Sequence, residues 1–238
     1  MTRRAGRADD APVPVGTPLW GIGRYEGPDG PVTWEISHDE IGRDLGAAPA
    51  ALARLGVGAG GRVLHCSLLS EAGHFFPLVI GTMLAGAQVS QADATRGDAT
   101  RVAMFLRMLH YDAVLGVNAA ILDGLDELGV AYAEAFSDVG AVCARPDAIA
   151  RLAVEGIDAH GFALCGPAVA IAAAPGAPAL VHDTAEWELG SVDGRITVTN
   201  LRARATEFRG TATAVRGSVV DHGVVLDLEG NVCAPNDR

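Results

Sequence analysis

The stretch RVLHCSLLSEAGHFFPLVIGTMLAGAQVSQAD, residues 62–93, reads as strand, helix, strand. RVLHCSLL is a short apolar run entered through the Gly-rich turn LGVGAGGR, which suits a buried strand. In SEAGHFFPLVIGTMLAGA the residues Phe75, Phe76, Val79, Ile80, Met83 and Leu84 recur at helical spacing, with Ser70 placed as the cap and Gly86 as the stop. QVSQAD is a second short strand. Two sheet strands joined by a helical crossover run parallel, so this unit sets the fold class as α/β.

Outward from this unit the alternation continues in both directions. Upstream, Thr33 to Ile41 is a short strand turning into a helix, capped by Ser37 or Asp39 with Glu40 behind. Ile41, Leu45, Leu52 and Leu55 carry that helix to its glycine stop. Downstream come TRGDATRVAMFLRMLHY as a helix bearing Val102, Phe105, Leu106 and Leu109, DAVLGV as a strand and NAAILDGLDELGV as a helix. VAYAEAF or AVCAR is the next strand candidate, and PDAIARLAVEG a helix opened by proline. From Ala168 the segments become short and turn-punctuated, and Asp193-Gly194 between alternating runs is a hairpin signal. The expected organisation is a flexible tail over 1–16, a parallel βαβ subdomain over 17–165, and a smaller antiparallel, β-rich partial barrel over 166–238 packed on it. The change of layer falls near Cys165-Gly166-Pro167.

Composition excludes several classes of function. The net charge of −11 argues against gripping nucleic acid or an anionic membrane. The Ala-rich run from Phe162 to Val181 is broken by Gly166, Pro167, Pro175, Gly176 and Pro178, so it is no membrane span. The arginines of MTRRAGRADDAPVPV are followed by no apolar core, which makes that segment a solvated tail rather than a targeting peptide. Cys66, Cys143, Cys165 and Cys233 form no Cys-x-x-Cys pair and read as buried reduced thiols of a cytoplasmic protein. All 18 basic residues are arginines. Without lysine, Schiff-base chemistry, the phosphate-loop lysine and the Tyr-x-x-x-Lys base all disappear.

The succession DEIGRDLGAAPAALARLGVGAGGRVLHCSLLSEAGHFFPLVIGTMLAGAQVSQADAT resembles the opening of adenylate-forming acyl-CoA synthetases. CGPAVAIAAAPGAPALVHDTAEWELGSVDGRITVTNLRARATEFRGTATAVRG is similar to the closing region of their phenylacetate-CoA ligase-like branch. The resemblance implies a scaffold that turns a carboxylate and ATP into an acyl-adenylate and then a thioester. The tools it implies do not match here. No Ser/Thr/Gly-rich phosphate loop occurs, and the place of the Tyr-Gly-x-Thr-Glu turn reads Phe162-Ala-Leu-Cys-Gly166, without a carboxylate. The ribose-binding Thr-Gly-Asp is matched by Thr213-Ala214-Val215, and valine accepts no hydrogen bond. The hinge arginine is matched by Glu229-Gly230-Asn231, and the mobile C-terminal domain with its lysine is expected to be lacking. Losing several groups that act together leaves almost nothing of a transition-state site.

Polar residues near strand ends are the remaining candidates for chemistry. His65 and Ser67 lie at the carboxyl end of a parallel strand, where open α/β sheets bind ligands, while Cys66 points to the opposite face. Ser67 and His74 would pair if the loop turns back; otherwise His74 is a first-turn helix residue. His182, Asp183 and Glu186 suit either a divalent ion or a polar surface turn. Arg202, Arg204, Arg209 and Arg216 suit either an anion clamp or a solvated strand of alternating charge. His110-Tyr111-Asp112 reads as a helix end.

The combined expectation is a non-adenylating synthetase-like protein with no cofactor and no metal of its own. It binds an acyl, aryl or CoA-linked small molecule, or serves as an accessory subunit in acyl-CoA or natural-product metabolism. Ser70, Cys165, Asp183, Glu186, Arg209 and Arg216 are the expected pocket residues. The alternatives are a recruited ATP-independent cyclase, isomerase or hydrolase using His65, Ser67, His74 and His182, or half of a split ligase completed by a partner. Sheet edges left bare by a missing subdomain imply a homodimer or a heteromer.

Overall fold

The computed structural model describes residues 18–221 and 223–231, so the expected tail over 1–16 and Cys233 lie outside the described residues. The chain opens with a hairpin, β1 (Leu19–Gly27) and β2 (Gly30–Ser37), and continues into α1 (His38–Ala53). The junction is a capping box: Ser37 Oγ accepts from Glu40 N at 3.3 Å, and Glu40 Oε2 accepts from Ser37 N at 3.0 Å. There follow β3 (Arg62–Ser67), α2 (Ala72–Leu84), β4 (Gln88–Asp93), α3 (Ala99–Met108), β5 (Tyr111–Val117), α4 (Ala119–Glu127), α5 (Tyr132–Ala135), β6 (Val139–Ala144), α6 (Pro146–Val154) and β7 (His160–Cys165). The remainder is strand: β8 (Ala168–Ala172), β9 (Ala179–Val181), β10 (Trp187–Val192), β11 (Arg195–Asn200), β12 (Thr211–Val220) and β13 (Gly223–Leu226).

The strands from β3 onward form one sheet in the order β10-β11-β12-β13-β9-β8-β7-β6-β5-β3-β4. From β4 to β7 the neighbours run parallel, and from β7 to β10 they run antiparallel. The antiparallel part thus continues the parallel ladder edge to edge instead of forming a separate sheet, and the change of direction falls at the expected Cys165-Gly166-Pro167 turn. It curls so that β11 and β12 pack back over β7, which gives the barrel-like shape. Gly166, at a φ of 63°, permits this: a side chain there would press on Val198 and Thr213.

Strand alternation sorts the core. Val63, Ala113, Leu115, Ala141 and Cys143 face α1 and α2 with Leu52, Phe75 and Leu78. Leu64, Cys66, Val114, Val142 and Ala144 face Val102, Leu106, Ile121, Leu125 and Leu152 on the opposite helical layer. α1 and α2 cross closely because Gly81 has no Cβ to meet Ala48. The hairpin packs Tyr25, Trp34 and Ile36 against the antiparallel strands.

Three local expectations are corrected. VAYAEAF contains the short helix α5 and no strand; AVCAR belongs to β6. Ser70 does not cap α2 but sits in a 3-10 turn over Leu69–Glu71 that precedes it. Tyr111 and Asp112 open β5 rather than ending a helix, and Asp112 accepts the amide of Arg62 at 2.7 Å.

Candidate functional site

The order of the parallel strands reverses at β3, with β4 on one side and β5 on the other. Crossovers leaving such a point go to opposite faces and open a crevice beyond the carboxyl ends of the strands. A cavity of about 310 Å³ lies there. Leu68, Ser70 and Glu71 line it just after β3, Arg145, Pro146 and Asp147 just after β6, and Phe162 and Leu164 along β7. Arg24, Tyr25 and Glu26 close it from β1, Ala214 and Val215 from β12, and Gly230 and Asn231 from beyond β13.

One ion pair dominates its wall. Arg145 occupies the position just before α6, with no side-chain capping bond, and donates Nη1 to Glu71 Oε1 at 2.6 Å and Nη2 to Glu71 Oε2 at 2.7 Å. Glu71 is held in turn by the amide of Leu68 at 2.9 Å. Burial pushes the Glu71 carboxyl up, but the hydrogen bonds and charge of Arg145 outweigh it and keep the group below its ordinary range.

Of the residues expected at a site, Ser70 alone lines this crevice. His65 is wholly buried, with Nε2 3.0 Å from Thr82 Oγ1, and burial drives its pKa down to about 3. His74 places Nε2 2.7 Å from the Gly166 carbonyl and meets Trp34 edge-on at 5.0 Å; burial takes it down to about 4. Neither ring is placed or tuned as a base near neutrality. Ser67 ends β3, and its carbonyl accepts from Ala94. Cys165 is fully buried, with its thiol raised to about 12 by burial. Asp183 caps its own turn by accepting from Ala185 N at 2.9 Å. Arg209 is exposed and paired with Glu207, and Arg216 lies on β12 with its amide bound to Asn231.

His182 and Glu186 do not form the expected surface turn. Both are buried beside Asp44 and Arg204. Arg204 Nη2 donates to Asp44 Oδ1 at 2.6 Å and to Glu186 Oε2 at 2.9 Å, Arg43 Nε donates to Glu186 Oε1 at 2.8 Å, and His182 Nε2 lies 3.7 Å from Asp44. This network ties α1 to the loop after β11, where Glu40 also accepts the amide of Ala205. The carboxylates of Asp44 and Glu186 are paired within it, while Arg204 Nε is buried without a partner, and the network acts as a structural clamp. Among the described residues no group of His, Cys, Asp and Glu is arranged to hold a metal ion. Among them, too, no helix is long and apolar enough to cross a membrane.

The charged crevice residues missed by sequence are Arg24, Glu26, Glu71, Arg145 and Asp147. The signal for Arg145 was available: it is the first residue past a parallel strand, directly before a helix-opening proline.

No family model and no curated protein matches the chain. Solved structures do. An open conformation of 2-hydroxyisobutyryl-CoA ligase in complex with 2-HIB-AMP and CoA aligns with a TM-score of 0.66 and 10% identity, over 91% of this chain and 57% of that one. An ATP-bound RpMatB-BxBclM chimera aligns at 0.57 and 12%, over 90% and 48%. A substituted E. coli MenE with bound OSB-AMS aligns at 0.51 and 14%, over 88% and 47%. The chain spans about half the length of these structures. At such low identity these alignments show the fold alone, and nearly the whole of this chain shares its fold with about half of each of these ligase structures.

Proposed function

We propose that the chain binds the acyl or aryl part of a small molecule, free or CoA-linked, in the crevice beyond β3 and β6, and does not adenylate it. The observation that carries this reading is the character of the crevice wall at β12. Where the ligase resemblance calls for a ribose-binding carboxylate, Ala214 and Val215 line the cavity instead. With Tyr25, Leu68, Phe162 and Leu164 they make a mainly apolar chamber of about 310 Å³, near the lower end of the roughly 300–1,000 Å³ of small-molecule sites.

Such a protein serves as a carrier or an accessory subunit in acyl-CoA or natural-product metabolism, as a homodimer or with a pathway enzyme. Among the described residues β4 and β10 are the end strands of the eleven-stranded sheet, and an end strand suits that pairing. Isothermal titration with acyl-CoAs and with Mg-ATP tests the reading. Saturable binding of an acyl-CoA, lost when Ala214→Trp fills the cavity, supports it; tight Mg-ATP binding defeats it.

A further inference from the structure

We infer that the group this crevice accepts is an uncharged acyl or aryl derivative, such as a thioester, ester or amide, and not a free carboxylate. The inference rests on the binding role proposed above and names the ligand class. Both cations on the wall are paired, Arg145 in an enclosed ion pair and Arg24 in a solvated one. Arg145 is locked in the bidentate pair with Glu71, the two side chains being 15% and 11% exposed. Its guanidinium also lies 5.9 Å from the centre of the Phe75 ring. Arg24 donates Nη2 to Glu26 at 3.0 Å, with the two side chains 47% and 60% exposed, so this cation is screened by water and attracts an anion only weakly. Asp147 adds a further carboxyl, so the lining carries two arginines, Arg24 and Arg145, against three acids, Glu26, Glu71 and Asp147.

A carboxylate gains little from the solvent-screened Arg24, and at the enclosed wall it has two options, both costly. It can displace Glu71 from a largely enclosed, charge-assisted pair and leave that acid unpaired, or it can lie desolvated among other acids. A neutral carbonyl pays neither cost and needs a single donor, which the exposed Ser70 hydroxyl on the same wall can supply. The reaction that supplies such a ligand has therefore already converted the acid to a thioester, ester or amide. The chain acts after acid activation, not at it.

The test pairs 2-naphthylacetate with 2-naphthylacetamide, measured by ligand-observed NMR against the full chain near neutral pH, in the wild type and in Glu71→Gln. The wild type is expected to bind the amide about tenfold or more tighter. Glu71→Gln, which frees Arg145, is expected to narrow or invert that ratio. Equal or tighter binding of the acid by the wild type overturns the inference but leaves the crevice as a binding site; so does an unchanged ratio in folded Glu71→Gln. Binding of neither probe, or binding that survives Ala214→Trp, removes the crevice reading and the inference with it. If Glu71→Gln does not fold, the wild-type ratio decides alone.

Discussion

The guanidinium of Arg204 lies 2.6 Å from Asp44 Oδ1, although 160 residues separate the two in the chain. The same guanidinium reaches Glu186 at 2.9 Å and stacks 4.0 Å from the centre of the Trp187 ring. Its side chain is 3% exposed, that of Asp44 10% and that of Glu186 0%. Removing one partner of a buried pair leaves uncompensated charge, so Arg204→Met is expected to destabilise the fold by about 3–5 kcal/mol. The double change Arg204→Met with Asp44→Leu should recover part of that loss. Urea unfolding of the three proteins checks both statements.

Acid should unfold this protein in two stages. His65 and His74 are held neutral by burial, at about 3 and about 4. Unfolded, they take up protons near pH 6.5. Below that value the unfolded state binds more protons, so stability is complete above about pH 6.5 and is lost as pH falls toward 4. At about pH 5 each histidine accounts for roughly 2 kcal/mol. Burial raises the Asp44 carboxyl, but the nearby His182 and the charge and hydrogen bonds of Arg204 outweigh it and bring the group to about 2. Its contribution is present above about pH 4 and is lost between there and about pH 2. Urea midpoints across a pH series should show the first decline, and His65→Asn should shrink it.

Hairpin docking depends on a missing Cβ. Trp34 lies across Gly23, its partner in the β1–β2 ladder, and a Cβ at Gly23 would fall on the indole ring. A Cβ at Gly73 of α2 would come within 3.0 Å of the same ring. Gly23→Ala should therefore displace Trp34 and cost about 1–3 kcal/mol. Near-ultraviolet circular dichroism and the thermal midpoint would report it.

The thiols should be inert in the native protein. Cys66, Cys143 and Cys165 are all 0% exposed. Burial raises Cys66 and Cys165 to about 12 and Cys143 further, with Arg145 only partly opposing this at Cys66. Ellman's reagent at about pH 8 should leave these three unreacted until the chain unfolds. Reaction of any of them in the native state, located by mass spectrometry, would contradict their placement.

The βαβ half was legible because its physics is local. Apolar strands such as Val63 to Cys66 alternate with helices whose stripes recur at helical spacing, and Ser37 with Glu40 announces the start of α1. VAYAEAF deceived because its alanines and Glu134 are good helix formers, and propensity outranked the apolar alternation. The strand Leu19–Gly27 is quiet because Gly21, Gly23 and Gly27 give it little β signature. The crevice was poorly legible because its main polar pair, Glu71 and Arg145, is 74 residues apart in sequence and meets only through the sheet. His65 and His74 drew notice as polar groups near a strand end, yet they face inward onto Thr82 and the Gly166 carbonyl. Burial, which decided their role, is not written in residue type.

The most direct measurement is exchange of labelled pyrophosphate into ATP by the purified chain, offered a panel of aryl and acyl carboxylic acids with magnesium. With Val215 where a ribose-binding acid is expected, no lysine in the sequence and a crevice whose arginines are already paired, exchange should not exceed the blank for any acid. Exchange that depends on one of those acids, and persists through further purification, would contradict the account.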